Sequence, residues 1–257
     1  MTSQGCSLVK VFIPSYKRAG RVKTLRVFRG ATLVVAESEA SAYAAGNQDA
    51  DIWAIPDAIQ GNIARVRNYI LDNAEADAVC MLDDDITQFG FFKARGGFGY
   101  DRVKLSGEEF ERFLLRGTEL CDDMGLHLWG VNIQAANRLY HQAEPFSIVK
   151  QVLGPFSVHV MSDIRYDENI PLKEDYDLFL RHMQRCGGVL RLNAAWYANA
   201  GSSGAKGGCA AQRDIEAEKR QFLALQRKWG SSVVKNDRTS KRGFDFNPVL
   251  TVPVRGV

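Results

Sequence analysis

The sequence predicts an α/β protein with a mixed, mostly parallel sheet flanked by helices, and three observations lead there. Short apolar runs rich in branched residues alternate with helical periodicity through the first half, the pattern of right-handed βαβ units around a parallel sheet. Each strand candidate in that half ends in a polar or proline-containing cluster, which is where chains of this class leave the sheet. The chain has 257 residues, 46% of them hydrophobic, enough to bury the core of one large domain.

The elements follow in order. Residues 8–13 are a short apolar run closed by Pro14-Ser15, too short for a helix and too branched to favour one. Residues 31–36 make the second strand, followed by Glu37-Ser38-Glu39 and an alanine-rich helix ending near Gly46. A third strand, 51–55, is closed by Pro56-Asp57. Ile63, Val66, Ile70, Leu71 and Ala74 recur at helical spacing, so residues 62–73 form an amphipathic helix with one face on the sheet. That helix leads into the apolar strand 78–82, which carries Asp83-Asp84-Asp85 at its end.

The second half is patterned differently. Ser106-Gly107-Glu108-Glu109 is a capping-box signature, and Phe110, Phe113, Leu114 and Leu120 mark the helix it opens. Strands are expected at 126–135 and at 148–161, the second interrupted by Gly154-Pro155, while 137–145 has no clear pattern. Glu174-Asp175-Tyr176-Asp177 opens a helix with Leu178, Phe179, Leu180 and Met183 as its inner positions, and Gly187-Gly188 stops it. Acids in a first turn suit the helix dipole with or without chemistry. A strand over 189–197 precedes the Gly/Ser segment 201–208. Those glycines make either a plain linker or a loop of close backbone approach that offers Lys206 to a phosphate. A charged helix over 212–229 and a tail with the strand-like run 249–254 complete the chain.

Composition excludes several classes. Net charge is +3, so no overall field announces a nucleic-acid or membrane binder, although the stretch from Lys206 to Arg242 is the more basic end. The five cysteines show neither a Cys-x-x-Cys pair nor a disulfide-like spacing. No apolar run approaches the ~20 residues of a membrane span, and the N-terminus lacks the pattern of a signal peptide. A soluble, cytoplasmic protein is the expectation.

The most informative feature is the triple aspartate. Carboxylates about 5 Å apart repel one another by roughly 3 kcal/mol per pair at an effective dielectric near 20. A divalent cation is the simplest reason to keep them together: Mg²⁺ and Mn²⁺ take oxygen ligands, commonly one or two carboxylates completed by water and substrate phosphates. The bland alternative is a solvated acidic turn. In open α/β sheets ligands sit beyond the carboxyl ends of the strands, and the segments 14–18, 37–38, 56–57 and 83–85 all follow strand ends. A solvated turn does not require that convergence. His127, His141, His159 and His182 share no ligand spacing and read as packed or surface residues. Trp129 and Trp196 serve either as core or as stacking surfaces. Phe89, Phe91, Phe92 and Phe98, among glycines, read as core packing or as a mobile lid, and Lys93 and Arg95 as solvated charges or phosphate contacts.

Taken together, the strand ending Ile13-Pro14-Ser15-Tyr16-Lys17-Arg18, the helix with Gly61 and Ala64-Arg65-Val66-Arg67-Asn68, the strand Val79-Cys80-Met81-Leu82-Asp83-Asp84-Asp85 and the later Lys173-Glu174-Asp175-Tyr176-Asp177 resemble a GT-A glycosyltransferase with a Rossmannoid sheet. The resemblance covers about residues 8–197. Within that superfamily the chain is most similar to the phage and kinetoplastid TET/JBP-associated enzymes, thought to glycosylate hydroxymethylated pyrimidines in DNA. The narrower match rests on the Arg-x-Arg-Asn helix, the Leu-Asp-Asp-Asp-Ile strand end and the Glu-Asp-Tyr-Asp segment.

The resemblance implies roles. Residues 1–200 become the nucleotide-sugar-binding and catalytic domain, and 201–257 a loop, helix and basic extension packed on it. Asp83 to Asp85 match the DxD element, with Asp83 toward the ribose and metal and Asp85 holding Mn²⁺ or Mg²⁺ against the two phosphates of a UDP-sugar. Pro14, Ser15 and Arg18 match the loop around base and ribose, and Glu37 a base-contacting position. Arg65, Asn68 and Asp84 would support the nucleotide. Asp175 matches the acid that deprotonates the acceptor hydroxyl in inverting members, with Glu174 as its neighbour and substitute. One departure stands out: many members bring a late histidine to the metal, but the last here, His182, falls on a helix, so Asn199, Ser202 or water takes that place.

Three functions from different classes follow. The leading one is metal-dependent sugar transfer to hydroxymethylated DNA, which requires an extruded base, a positive rim and an apolar wedge; the basic C-terminal segment would supply the rim. The second is a nucleotidyltransferase that releases pyrophosphate from a nucleoside triphosphate. The third is a non-catalytic module that binds nucleic acid. Oligomeric state is left open.

Overall fold

The structure is a computed structural model in which residues 8–95, 99–132, 140–199, 214–237 and 246–252 are described. Strand β1 (Val9–Pro14) lies between β2 (Thr32–Ala36) and β4 (Ala78–Leu82), both parallel to it, and β3 (Asp51–Ile55) extends the parallel group beyond β2. The order across the main sheet is β3-β2-β1-β4-β9-β7-β10-β5-β6. Here β5 is Ile86–Arg95, β6 Gly99–Lys104, β7 Leu128–Asn132, β9 Phe156–Val160 and β10 Leu190–Asn199, while the two-residue β8 (Phe146–Ser147) pairs with β10. The sheet is mixed because β9 runs antiparallel to both β4 and β7, and β5 antiparallel to β10.

That topology places the chemistry. Strand β4 rises to the carboxyl edge of the parallel group, Asp83 to Asp85 turn there, and β5 descends on the far side of β10. β9 also starts its descent from this edge, which brings Gly154-Pro155 beside the aspartates. Helix α4 (Glu174–Cys186) begins there too, since it must run back before β10 can rise parallel to β7.

Alternation along β1 divides the core. Val11 and Ile13 join one cluster and Phe12 the other, as the two faces of a pleated strand require. On the first face lie α1 (Ala40–Gly46), through Tyr43, and α3 (Gly107–Asp123), through Phe110 and Leu114. The Phe89 and Phe110 rings stack at 4.3 Å between centroids, and Phe113 meets Trp129 edge-on at 5.5 Å. The second face carries α2 (Ile63–Asn73), α4 and α5 (Ile215–Trp229). Burying such side chains contributes about 1.5–3 kcal/mol each.

Several expectations hold and several need correction. The capping box forms as read, with the Ser106 N–H donating to Glu109 Oε2 at 2.7 Å and the Glu109 N–H to Ser106 Oγ at 3.3 Å. Gly187 ends α4 at φ 75°, a conformation glycine adopts without penalty. The expected strand 148–161 is shorter: only Phe156–Val160 pairs, because Pro155 lacks an N–H and residues 148–155 form the loop that delivers Gly154. The phenylalanine cluster is no lid where it is described. Phe89 and Phe92 are buried on β5, whose hairpin with β6 the sequence pattern did not reveal. Trp129 and Trp196 are buried core residues. The C-terminal residues pair as β11 (Val234–Asn236) with β12 (Pro248–Leu250). Lys206, Ser202 and Phe98 lie outside the described residues. Among those described, no helix is long and apolar enough to cross a membrane.

Candidate active site

The acidic turn is sewn to the connection after β1. The Asp84 carbonyl accepts the Lys23 N–H at 2.8 Å, the Thr24 hydroxyl donates to the Asp83 carbonyl at 2.5 Å, and the Ile86 N–H donates back to Thr24 Oγ1 at 3.0 Å. From the other side the Asp83 N–H reaches the Pro155 carbonyl at 3.1 Å. Three adjacent carboxylates therefore start from a fixed backbone, and they point three ways.

Asp84 turns inward. It is buried, accepts the Ser15 hydroxyl at 2.6 Å and forms an ion pair with Arg18. Because an ionised carboxylate can only accept, Ser15 donates to it. The Tyr43 hydroxyl, 2.8 Å from Ser15 Oγ, then donates to Ser15 while accepting the Arg18 N–H at 3.0 Å. Asp84 and Ser15, expected to meet the nucleotide, thus anchor the loop after β1, and Arg18 reaches the site through Asp84.

Asp85 is half-buried. Its Oδ1 is buried with no hydrogen-bond partner, and burial, then the neighbouring Asp84 charge, push its carboxyl above the ordinary range while Arg18 and Lys23 oppose the rise. Asp83 keeps part of its side chain open to solvent, yet the protein packed around it pushes its carboxyl up to about 6, against the pull of Arg67, with Asp84, Asp85 and Asp175 adding to the rise. Both carboxylates carry negative charge that the protein does not fully offset. That is the donor set a hard divalent ion fits. No group of three or more described His, Cys, Asp or Glu side chains closes a metal site by itself, so these oxygens would share an ion with water and phosphates.

The residue that organises the cleft is Arg67, which sequence reading passed over for its neighbours. It is 3% exposed. One guanidinium nitrogen donates to Glu174 Oε1 at 2.8 Å; the other reaches the Gly154 carbonyl at 3.2 Å and Asp83 Oδ1 at 3.4 Å. Gly154 in turn donates its N–H to Asp175 Oδ2 at 3.2 Å. A Cβ on Gly154 would lie 2.7 Å from both terminal nitrogens of the guanidinium, so this position is glycine because the chain lies flat on Arg67. One buried cation thereby joins the acidic turn to the start of α4. Asp177, three residues beyond Glu174, faces away: it holds α5 through Lys228 and the Trp229 indole N–H and pairs with Arg181 one turn on in α4.

Tyr197 was also missed. It rises on β10 beside Phe89, is 7% exposed, and has its phenol pushed up by burial and then by Asp83, Asp175 and Asp85. Only the register of β10 against β5 could have signalled it. Asn199 pairs with Ile86, next to Asp85. His182, by contrast, is fully buried in α4, with both ring nitrogens unpartnered.

The remaining expected residues sit as follows. Pro14 ends β1 and Glu37 stands exposed just past β2, both on the carboxyl edge. Arg65 and Asn68 do not reach the cleft. Arg65 pairs with Glu168 at 3.5 Å on the outer surface, and Asn68 clamps Tyr166, donating to its carbonyl at 3.0 Å and accepting its N–H at 2.8 Å. At 100° per residue, turning Arg67 into the site turns both neighbours out. A cavity of about 290 Å³, lined by Asp163, Arg165, Arg181, Arg185, Lys228 and Trp229, opens past the other end of β9. Its cations are all paired with acids, and it has no part in this chemistry.

Solved structures share the architecture. Glucosyl-3-phosphoglycerate synthase from Mycobacterium tuberculosis, in complex with phosphoglyceric acid, superposes with a TM-score of 0.55 at 11% identity over 89% of this chain and 83% of that one. The same enzyme with Mn²⁺, uridine diphosphate and glucosyl-3-phosphoglycerate gives 0.53 at 10% identity over 90% and 84%. The mannosyltransferase PcManGT from Pyrobaculum calidifontis, with GDP-Man and Mn²⁺, gives 0.51 at 11% over 87% and 65%. At such identities the likeness is one of fold, the GT-A arrangement. No curated protein matches in sequence. The model of the TET-Associated Glycosyltransferase family matches residues 9–208, and with the acidic turn, the Arg67 bridge and Asp175 all inside that span, the chain belongs to the TET-associated glycosyltransferases.

Proposed function

We propose that the chain moves a sugar from a nucleotide diphosphate sugar, a UDP-sugar, to the hydroxyl of a hydroxymethylated pyrimidine in DNA, with Mn²⁺ or Mg²⁺ held at Asp85 and Asp83. The observation that carries the reading is the single buried guanidinium of Arg67 linking an acidic turn with an orphaned carboxylate oxygen to the carboxylate of Asp175. In sugar transfer the anomeric carbon–oxygen bond to the diphosphate breaks as the acceptor oxygen bonds to that carbon. The leaving group then needs its charge neutralised, and the acceptor must lose a proton on the opposite side. A divalent ion, when bound, supplies Lewis-acid stabilisation of the departing diphosphate.

This chain's own residues do the rest. Asp85 and Asp83 present oxygens at the strand end, while Pro14 and Glu37 border the base on the same edge. Asp175 takes the acceptor proton as general base, its Oδ2 oriented by the Gly154 N–H and its Oδ1 by the Tyr176 N–H at 2.9 Å. Glu174 is engaged by Arg67 and serves to hold the start of α4. The neutral phenol of Tyr197 among three carboxylates offers a donor that remains protonated at working pH.

The test is incubation with a panel of nucleotide sugars and Mn²⁺, with and without hydroxymethylcytosine DNA, followed by mass spectrometry of released nucleosides. A sugar mass on the base is the expected result. Donor hydrolysis without that mass would move the acceptor elsewhere, and pyrophosphate release from a nucleoside triphosphate would overturn the transferase reading.

A further inference from the structure

At several places on the described surface cations sit against acids. Arg65 pairs with Glu168, Arg116 with Glu119, Lys150 with Glu144, Arg165 with Asp72 and Arg185 with Asp163. Others, such as Lys93, Arg102, Lys104, Arg112, Arg220 and Arg227, stand exposed without an ion pair among the described residues. The connection from β1 to β2 differs in gathering its cations with no acid of its own. Residues 17–29 contain six Lys and Arg and no Asp or Glu. Arg18 is drawn in to Asp84. Lys17, Arg21, Lys23, Arg26 and Arg29 are all exposed, and among the described residues none of these five makes an ion pair.

This connection has a fixed shape. Val22, Thr24 and Phe28 are buried within it, a short 3-10 turn spans Thr24–Arg26, and the Lys17 N–H donates to Glu39 at 3.0 Å. Its middle is bonded to the acidic turn through Lys23, Thr24 and the Asp83 and Asp84 carbonyls. Glu39 and Asp85 lie near its two inner cations, Lys17 and Lys23, yet five like charges held in place without an ion pair repel one another, a cost that a polyanion would reverse. The acidic cleft beside them repels a phosphate chain, so an acceptor rich in phosphates needs an attractive surface next to that cleft.

We infer that the exposed face of residues 17–29 is the landing surface for the phosphate backbone of the nucleic-acid acceptor. This rests on the reading of DNA as acceptor and assigns to the β1–β2 connection a role that sequence analysis gave to the C-terminal segment. Phosphate contacts position a nucleic acid without reading its sequence. The surface therefore sets affinity and salt dependence, and base selection belongs to the cleft.

The experiment compares the full chain with the triple variants Arg21→Gln/Arg26→Gln/Arg29→Gln and Arg21→Lys/Arg26→Lys/Arg29→Lys. Binding to fluorescein-labelled single-stranded and duplex DNA is followed by anisotropy across a salt series, with UDP and Mn²⁺ binding and base glycosylation measured in parallel. The glutamine variant should bind on the order of tenfold more weakly or worse, with the slope of log affinity against log salt shallower by about 2 to 3, as three lost phosphate contacts require. UDP binding should be unchanged, and the lysine variant should keep the wild-type slope. An unchanged slope in the glutamine variant overturns the inference, as does equal loss in the lysine variant, which would mean a structural role. Salt-dependent binding through these arginines without sugar transfer to DNA would keep the surface and remove the acceptor reading. Wild-type transfer to DNA by the glutamine variant would do the reverse.

Discussion

Replacing Arg67 with Met tests the bridge that holds the cleft together. The guanidinium has three acceptors, and they differ in worth. Glu174 is the largest: its side chain is 10% exposed and its contact is 2.8 Å, so removing the cation takes a close counter-charge from a buried carboxylate, a loss of about 3–5 kcal/mol. Asp83 contributes little to stability, because its side chain is 41% exposed and its contact is 3.4 Å, which solvent screening reduces to roughly 0–1 kcal/mol. For a chain of this size the loss corresponds to a fall of about 6–20 °C in Tm, read by thermal and urea unfolding monitored by circular dichroism. The double variant Arg67→Met/Glu174→Gln should recover a large part of it, since the buried negative charge is then removed together with its counter-charge. Arg67→Lys should fall between, as an ammonium cannot span acceptors that a planar fork reaches together. If Arg67→Met unfolds within about 1 kcal/mol of wild type and the double variant is no better, the bridge is not what holds α4 to the acidic turn.

Four further outcomes follow from the geometry. Gly154→Ala drives a methyl toward the guanidinium, whose nitrogens lie 2.7 Å from the new carbon; it should cost about 1–3 kcal/mol and, by shifting the N–H that orients Asp175, lower kcat for transfer far more than it weakens UDP binding in calorimetry. His182 is buried with its ring lowered to about 4 by burial, then by His127 and Arg185. A base depressed in the folded state gives stability that is complete above its unfolded value near 6.5 and is lost as pH falls toward 4, so His182→Leu should flatten the urea-midpoint profile in that window by about 1.4 kcal/mol per pH unit, and an unaltered profile would refute this. Asp85→Asn should abolish Mn²⁺-dependent UDP binding while leaving Tm equal to or above wild type, because burial already disfavours its charge; Asp84→Asn should lower Tm, because it weakens the buried contacts with Arg18 and Ser15.

The parallel half was legible because each of its strands stops at a punctuation residue, and the sheet rule then sends every such stop to one edge. Pro14, Glu37, Asp57 and Asp83 needed no tertiary information. The β5–β6 hairpin was not legible, since its phenylalanines face α3 on one side and Trp196 and Tyr140 on the other, and a strand apolar on both faces has no period to read. Arg67 was hidden for a different reason. The sequence motif names three polar residues on α2, and only the phase of the helix on the sheet, set by Val66 and Ile70, decides which one faces the cleft. The aspartates carry the same lesson further. Their mutual repulsion, taken from sequence, implies a cation to hold all three; in the fold, Arg18 offsets Asp84, Arg67 offsets Asp83 only weakly, and the unbalanced charge is left on Asp83 and Asp85. Under the proposed function, a divalent ion held by these oxygens would exceed the charge left to it, and the excess would draw a diphosphate to an edge that is otherwise acidic.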